Sequence, residues 1–182
     1  MQRDIDRQAS TVTIRTRAKG LLSKLAHDLE IQTARFDGDV EVDETDWKAT
    51  LRFPVSGLTV AGALKGDKVD RAILSPSDRA EIERKLRDEV LGVDEIVVTA
   101  EGKDRGAGDV VVKARRGEQR RAVSLTTEDR PGGEIVTYGT VDLSLRALGV
   151  DEIKGPLGAF KVDDRIEVAF WIMLAAPSAD EK

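Results

Sequence analysis

Residues 161–174 change character with every step. Val162, Asp164, Ile166, Val168, Phe170 and Ile172 share one face, and all but Asp164 are apolar. The other face begins polar with Asp163, Arg165 and Glu167, then turns apolar with Ala169, Trp171 and Met173. A period of two places successive side chains on opposite sides of an extended chain, so this stretch is a β-strand whose second half is oily on both faces. The same alternation recurs along most of the chain. The sequence therefore predicts an all-β, curled antiparallel sheet, and function must be sought in what that sheet encloses.

Earlier strands follow the same rule. Residues 10–18 alternate Val12, Ile14 and Thr16 with Thr11, Thr13, Arg15 and Arg17, as a half-buried strand does. Residues 27–36 turn Leu29, Ile31 and Thr33 inward, but Phe36 is out of phase, which a bulge near Ala34 or Arg35 would repair. Asp37-Gly38 predicts a tight hairpin turn into a short strand with Val40 and Val42. In residues 47–55, Trp47, Ala49, Leu51, Phe53 and Val55 point inside, and Pro54 marks an edge, a bulge or a strand end. Residues 56–64 read as an apolar loop. Further strands are expected near 95–101, 109–114 and 121–127. After the Pro131-Gly132-Gly133 turn, another puts Ile135, Thr137, Gly139, Val141, Leu143 and Leu145 inside.

One helix is expected, at about 76–91. Ser75 is its N-cap, Pro76 its first residue and Asp78 an acid in its first turn, while Gly92 closes it. Ile82, Leu86 and Val90 form a narrow apolar stripe, and Glu81 to Lys85, Glu83 to Arg87 and Arg84 to Asp88 are favourable i,i+4 pairs. Such a helix lies on a sheet rather than at the centre of a core. Eight or nine short strands with one helix fit an up-and-down barrel better than a βαβ fold.

The chain of 182 residues, without internal repeats, suits a single domain over residues 1–176 with a disordered tail at 177–182. Its net charge of −5 argues against a general nucleic-acid binder. Without cysteine there is no disulfide, thiolate metal site or thiol nucleophile. No run approaches the ~20 apolar residues of a membrane span and no signal peptide opens the chain, which predicts a cytoplasmic protein, or a periplasmic one had a leader been removed.

The order of features resembles the YceI-like family over residues 10–174. The resemblance is carried by Leu148-Gly149-Val150, then Gly158-Ala159-Phe160-Lys161-Val162-Asp163-Asp164-Arg165-Ile166 running into the final strand. Upstream, Ser56-Gly57-Leu58-Thr59 before a helix with Arg87-Asp88-Glu89-Val90-Leu91 resembles the family's insertion between two barrel strands, and Ala26-His27-Asp28-Leu29-Glu30-Ile31 resembles its second strand. The resemblance implies a lipocalin-like barrel that binds polyisoprenoid or other amphiphilic lipid chains.

Catalytic and metal chemistry find little to work with. His27 is the only histidine, and on a strand it and Asp28 point to opposite faces. There is no Gly-x-Ser-x-Gly element and no phosphate-binding glycine loop. The acidic run Asp37, Asp39, Glu41, Asp43, Glu44 and Asp46 lacks the spacing of an EF-hand and reads as a solvated hairpin. Arg115, Arg116, Arg120 and Arg121 make a basic hairpin tip. No catalytic residue, metal site or cofactor is therefore expected.

The expected activity is non-enzymatic binding, sequestration or transport of a long isoprenoid or other amphiphilic chain. The lining would come from Ile14, Leu29, Ile31, Leu51, Phe53, Val141, Leu143, Val168 and Phe170. Oily segments where polar loops are usual, with Leu21, Leu22, Leu25, Leu58, Leu157 and Phe160, would form the mouth. A dry tunnel of ~300 Å³ would cost on the order of 7 kcal/mol, so a hollow barrel would need a guest. The alternative is a barrel filled by its own side chains that serves as a structural or interaction module, with outward Trp171 and Met173 helping to form a homodimer.

Overall fold

The computed structural model describes residues 1–20, 26–33, 35–155 and 160–177. Its strands are β1 (Gln2–Arg3), β2 (Thr11–Thr16), β3 (Ala18–Lys19), β4 (Asp28–Thr33), β5 (Asp37–Asp43), β6 (Asp46–Pro54), β7 (Thr59–Lys65) and β8 (Lys68–Asp70). Helix α1 (Pro76–Lys85) and a π-helical turn at Leu86–Leu91 follow. Then come β9 (Glu95–Asp104), β10 (Ala107–Ala114), β11 (Gly117–Ser124), β12 (Thr126–Asp129), β13 (Ile135–Ser144), β14 (Lys161–Val162) and β15 (Arg165–Leu174). The expected tail lies, beyond Pro177, outside the described residues.

One sheet runs β1-β5-β6-β9-β10-β11, a second β12-β13-β15-β2-β4-β7-β8, and a two-stranded ladder joins β14 to β3, with every pairing antiparallel. Several segments are halves of one bent strand, so the eight or nine expected strands survive as longer runs broken at corners. β4 and β5 are one run and β6 and β7 another. β5 pairs β6 from Asp37↔Arg52 to Asp43↔Asp46, while β4 pairs β7 from Asp28↔Leu64 to Gln32↔Thr59. This single long hairpin therefore belongs to both sheets. β11 and β12 turn a second corner, with β11 on β10 and β12 on β13.

The corner explains Phe36. Of the two positions expected to hold a bulge, Ala34 lies outside the described residues; beyond it Phe36 packs with the other sheet, where it is 2% exposed and stacks on Phe53 at 4.9 Å. The register shift of β4 lies instead opposite β7, between Glu30 and Ile31. Asp37-Gly38 is not the hairpin turn either. Gly38 sits within β5, where a Cβ would press on Leu51 Cδ2 and Thr50 O at 2.6 Å, so close packing and not a turn requires glycine. The reversal falls at Asp43–Asp46, with Glu44 at φ 34°. The acidic side chains Asp37, Asp39, Glu41 and Asp43 occupy the exposed face of β5, as a solvated strand would have them.

The expected loop at 56–64 is mostly a strand. After a 3₁₀ turn at Val55–Gly57, β7 carries Val60, Ala63 and Leu64 into the core. Its period of two is broken by a bulge: Ile31 and Glu30 of β4 pair with Val60 and Gly62, which leaves Ala61 as the extra residue. Glu83 of α1 accepts the Val60 amide at 2.8 Å, capping strand edge that β8 does not reach.

Helix α1 begins as its sequence dictates. Ser75 Oγ accepts from the Asp78 amide, and the Asp78 carboxylate accepts from the Ser75 amide at 3.0 Å. Gly92, at φ 58°, ends the π-helical turn. Glu81–Lys85 and Arg84–Asp88 form the expected pairs, whereas Glu83 is taken by β7.

The two sheets do not zip into one continuous ladder. Between β11 and β13 a side chain stands in for backbone: Gln119, 5% exposed, accepts the Ser144 amide at 2.9 Å, and Arg121 donates to Asp142 O at 3.3 Å. The N-terminal segment spans another gap, with β1 paired to β5 while Asp6 donates to Met173 O and Ala175 to Asp4 O. The barrel is thus flattened, with sheets joined at corners.

Asp164, the one charge on the apolar face of the final strand, bends away from the interior. It breaks the run between β14 and β15 and accepts from the Arg146 amide and the Ser144 hydroxyl, both at 2.8 Å, which hold its carboxyl below the usual aspartate value. A depressed pKa contributes stability above the unfolded-state value of 3.8 that is lost as pH falls through the lower folded value. Asp164→Asn should cost about 1 kcal/mol at neutral pH, allowing for solvent screening. Denaturant titrations should show the gap to wild type closing as pH falls below 3.8.

Candidate functional site

The inward faces of both sheets do not meet. Between them lies a cavity of about 630 Å³. Two core clusters bound it. One contains Val12, Phe36, Val40, Phe53, Ile135, Ile172 and Leu174; the other contains Ile31, Leu58, Val60, Val110, Val112, Leu143 and Ile166 among others. Ile96, Val98, Val168 and Phe170 touch both clusters and form the wall between them.

Each expected lining residue borders the cavity. Ile14 comes from β2, Leu29 and Ile31 from β4, and Leu51 and Phe53 from β6. Val141 and Leu143 come from β13, and Val168 and Phe170 from β15. Register explains the gathering: Phe170 pairs with Gly139 and Val12, and Val168 with Val141 and Ile14, so neighbouring strands aim matching rows inward. Ile14, Leu29, Leu51, Val141, Val168 and Phe170 are only half-buried although they face the interior, because the space before them is unfilled. The barrel packed solid by its own side chains is therefore not what the chain forms.

The expected mouth is redrawn. Leu58 is 3% exposed and lies at the corner, deep in the wall, because residues 56–64 are not a surface loop. Phe160 is at one end, half-buried, with its ring across Gly155. Leu21, Leu22, Leu25 and Leu157 lie outside the described residues.

Residues beyond the expected lining set also border the cavity, Trp47 and Ala49 among them, both expected to point inside. Ile82, Leu86 and Val90 of the helical segment border the cavity, so the helix is a wall and not merely a cover on the outside of the sheet. Its stripe at i, i+4 and i+8 was the available signal. Ala49 and Ala100 are small residues on the same surface. Trp47 sits at the end opposite Phe160, its indole N–H donating to Asp104 O at 2.7 Å and its ring packed where Gly102 and Gly108 leave room. A side chain at either glycine would collide with that ring.

Reactive groups do not converge. His27 is exposed on the cavity's rim, while Asp28 accepts from Arg17 at 3.1 Å and from the Ala18 amide at 2.7 Å. Among the described residues, no group of three or more His, Asp or Glu side chains is placed to hold a metal ion. The arginine tip is tied down: Arg115 pairs with Asp151 at 3.1 Å and donates to Val90 O, and Arg120 lies 3.9 Å from Asp109. No helix among the described residues is long and apolar enough to cross a membrane.

At about 24 cal/mol per Å³, a dry void of about 630 Å³ would cost on the order of 15 kcal/mol, the whole net stability of a domain. Water gains little there, since the walls offer few polar partners. About twenty methylenes at ~0.8 kcal/mol each would offset the cost.

Fold and hollow together define a lipocalin-like barrel. No protein-family model and no curated protein matches the sequence, but solved structures do. The crystal structure of BcnA from Burkholderia cenocepacia aligns over 94% of this chain and 100% of its own at TM-score 0.65, with 12% identity. A polyisoprenoid binding domain from Saccharophagus degradans, implicated in plant cell wall breakdown, aligns over 96% of this chain and 98% of its own at TM-score 0.66, with 10% identity. At these identities the likeness is one of fold, and the lipocalin-like barrel expected from the sequence is the fold this chain has.

The hollow predicts an inverted response to overpacking. In a filled core, Ala100→Leu would cost about 1–3 kcal/mol. Here the added methylenes enter free space, so lipid-stripped Ala100→Leu should be at least as heat-stable as wild type by calorimetry while taking up less of any chain-like ligand.

Proposed function

We propose that this protein binds and carries a long apolar or amphiphilic chain, of the isoprenoid or fatty type, within the barrel, without catalysing a reaction. The observation that supports the reading most is the cavity itself, about 630 Å³ walled almost entirely by aliphatic and aromatic side chains in a domain that gains by filling it. The similarity of fold to a polyisoprenoid binding domain is consistent with such a guest. His27 and Asp28 do not act together: Asp28 is held by Arg17 and the Ala18 amide, while His27 is exposed at the cavity border.

Lipid-stripped protein should take up a fluorescent prenyl-chain probe, and native mass spectrometry of freshly purified protein should show a co-purifying lipid. Val168→Asp, which sets a carboxylate in the wall, should abolish uptake in a variant whose circular dichroism remains that of a β-fold. Absence of both uptake and co-purifying lipid in the wild type would overturn the reading.

A second reading concerns assembly. Trp171 is 36% exposed and stacks on Tyr138 at 4.9 Å, an aromatic pair presented to solvent on the outer face of β13 and β15. Such pairs are favoured anchors of protein interfaces. A homodimer through this face should appear at twice the monomer mass of 19.9 kDa in light scattering, and Trp171→Glu should return it to the monomer.

A further inference from the structure

The cavity has a charge bias that the rest of the chain does not share. The protein carries 34 Asp and Glu against 29 Lys and Arg. Yet among the described residues the charged side chains bordering the cavity are Arg17, Lys85, Arg105 and Lys154, with no carboxylate. Arg105, at the Trp47 end, is satisfied by two hydrogen bonds to Asp129 at 2.9 and 2.7 Å.

The other end carries two, Arg17 and Lys154. Backbone pairing gathers its cations: Ala18, beside Arg17, pairs with Val162, and Lys154 bridges to Lys161 next to it. His27 adds a further donor on the same rim, since its neighbour Asp28 accepts the Ala18 amide. Acidic groups touch these cations from outside the cavity border. Asp28 and Asp67 lie 3.1 and 3.3 Å from Arg17, and Glu152 lies 3.0 Å from Lys154. Glu152 also holds Lys161, so Arg17, Lys154 and Lys161 face three carboxylates in all, and the bias is one of position: cations border the cavity and the carboxylates stand behind them.

We infer that this rim of Arg17, His27 and Lys154 recognises the anionic head, a carboxylate or a phosphate ester, of the amphiphile whose chain fills the barrel. The inference rests on the chain-binding reading above. An anionic head at the end of an apolar wall is attracted to cations on that border, an attraction that water at these part-exposed side chains moderates, whereas a carboxylate on that border would repel it. A neutral alcohol forgoes the attraction, and a cationic head meets its own sign. Lys85, on the helical wall of the same cavity, is paired with Glu81 at 2.9 Å and is not part of this rim.

The test uses the lipid-stripped full chain and four probes of one length: hexadecanoate, hexadecyl phosphate, hexadecanol and hexadecyltrimethylammonium, each competing with a bound fluorescent chain. The two anions should bind roughly ten-fold more tightly than the alcohol, as a charged hydrogen bond allows, and the cation most weakly. Added salt should narrow the difference. Lys154→Gln, at a side chain 56% exposed, should reduce the ratio of acid to alcohol affinity, and Arg17→Gln should do so independently. Equal affinity for acid and alcohol, or a ratio unmoved by both variants, overturns the inference alone. Failure of all four probes to bind overturns the chain-binding reading and this inference with it.

Discussion

The architecture depends on a corner. One long hairpin, β4–β5 against β6–β7, keeps its antiparallel pairing while it turns from one sheet into the other. Phe36 and Val55, each 2% exposed, are packed into the inside of that turn. The bend holds the sheets apart across a gap that their inward side chains then have to span. With four Phe, two Trp and one Tyr in 182 residues, the lining is mostly aliphatic, and it does not reach across. The cavity is the consequence: corners fix the distance between walls, composition fixes how far each wall projects, and the difference is empty space.

That view gives the helix its place. A helix with one narrow stripe contributes little to a core, but here it closes a side that the sheets leave open. Glu83 caps the free edge of β7, and Ile82, Leu86 and Val90 complete the wall. The side chains at the remaining seam do similar work, with the Gln119 amide oxygen accepting the Ser144 backbone N–H, which would otherwise lack a strand partner. Polar groups serve the periphery of this barrel, and apolar ones its interior.

Much of this was legible in the sequence. The period of two in residues 161–174 named the inward row correctly, and antiparallel register alone brought it opposite the rows of β2 and β13. Ser75, Pro76, Asp78 and Gly92 marked the helix because capping is local chemistry. What was not legible depended on partners distant in sequence. β7 lost its alternation to a bulge at Ala61 in its pairing with β4, and Asp37-Gly38 looked like a turn because its glycine answers to Leu51 across the ladder, a partner that local sequence does not reveal. Alternation tells which way a side chain points. It does not tell how far away the opposite wall stands, so whether the interior is hollow or filled could not be read from pattern.

The central claim is that a chain-shaped guest, and not the protein's own side chains, occupies the space between the sheets. The most direct measurement is the electron density of that space in crystals of protein purified without lipid stripping. The account predicts elongated density not attributable to the polypeptide, running between Phe53 and Val168 toward the rim at Arg17. Side chains meeting across the interior, with no room left between the two walls, would contradict it.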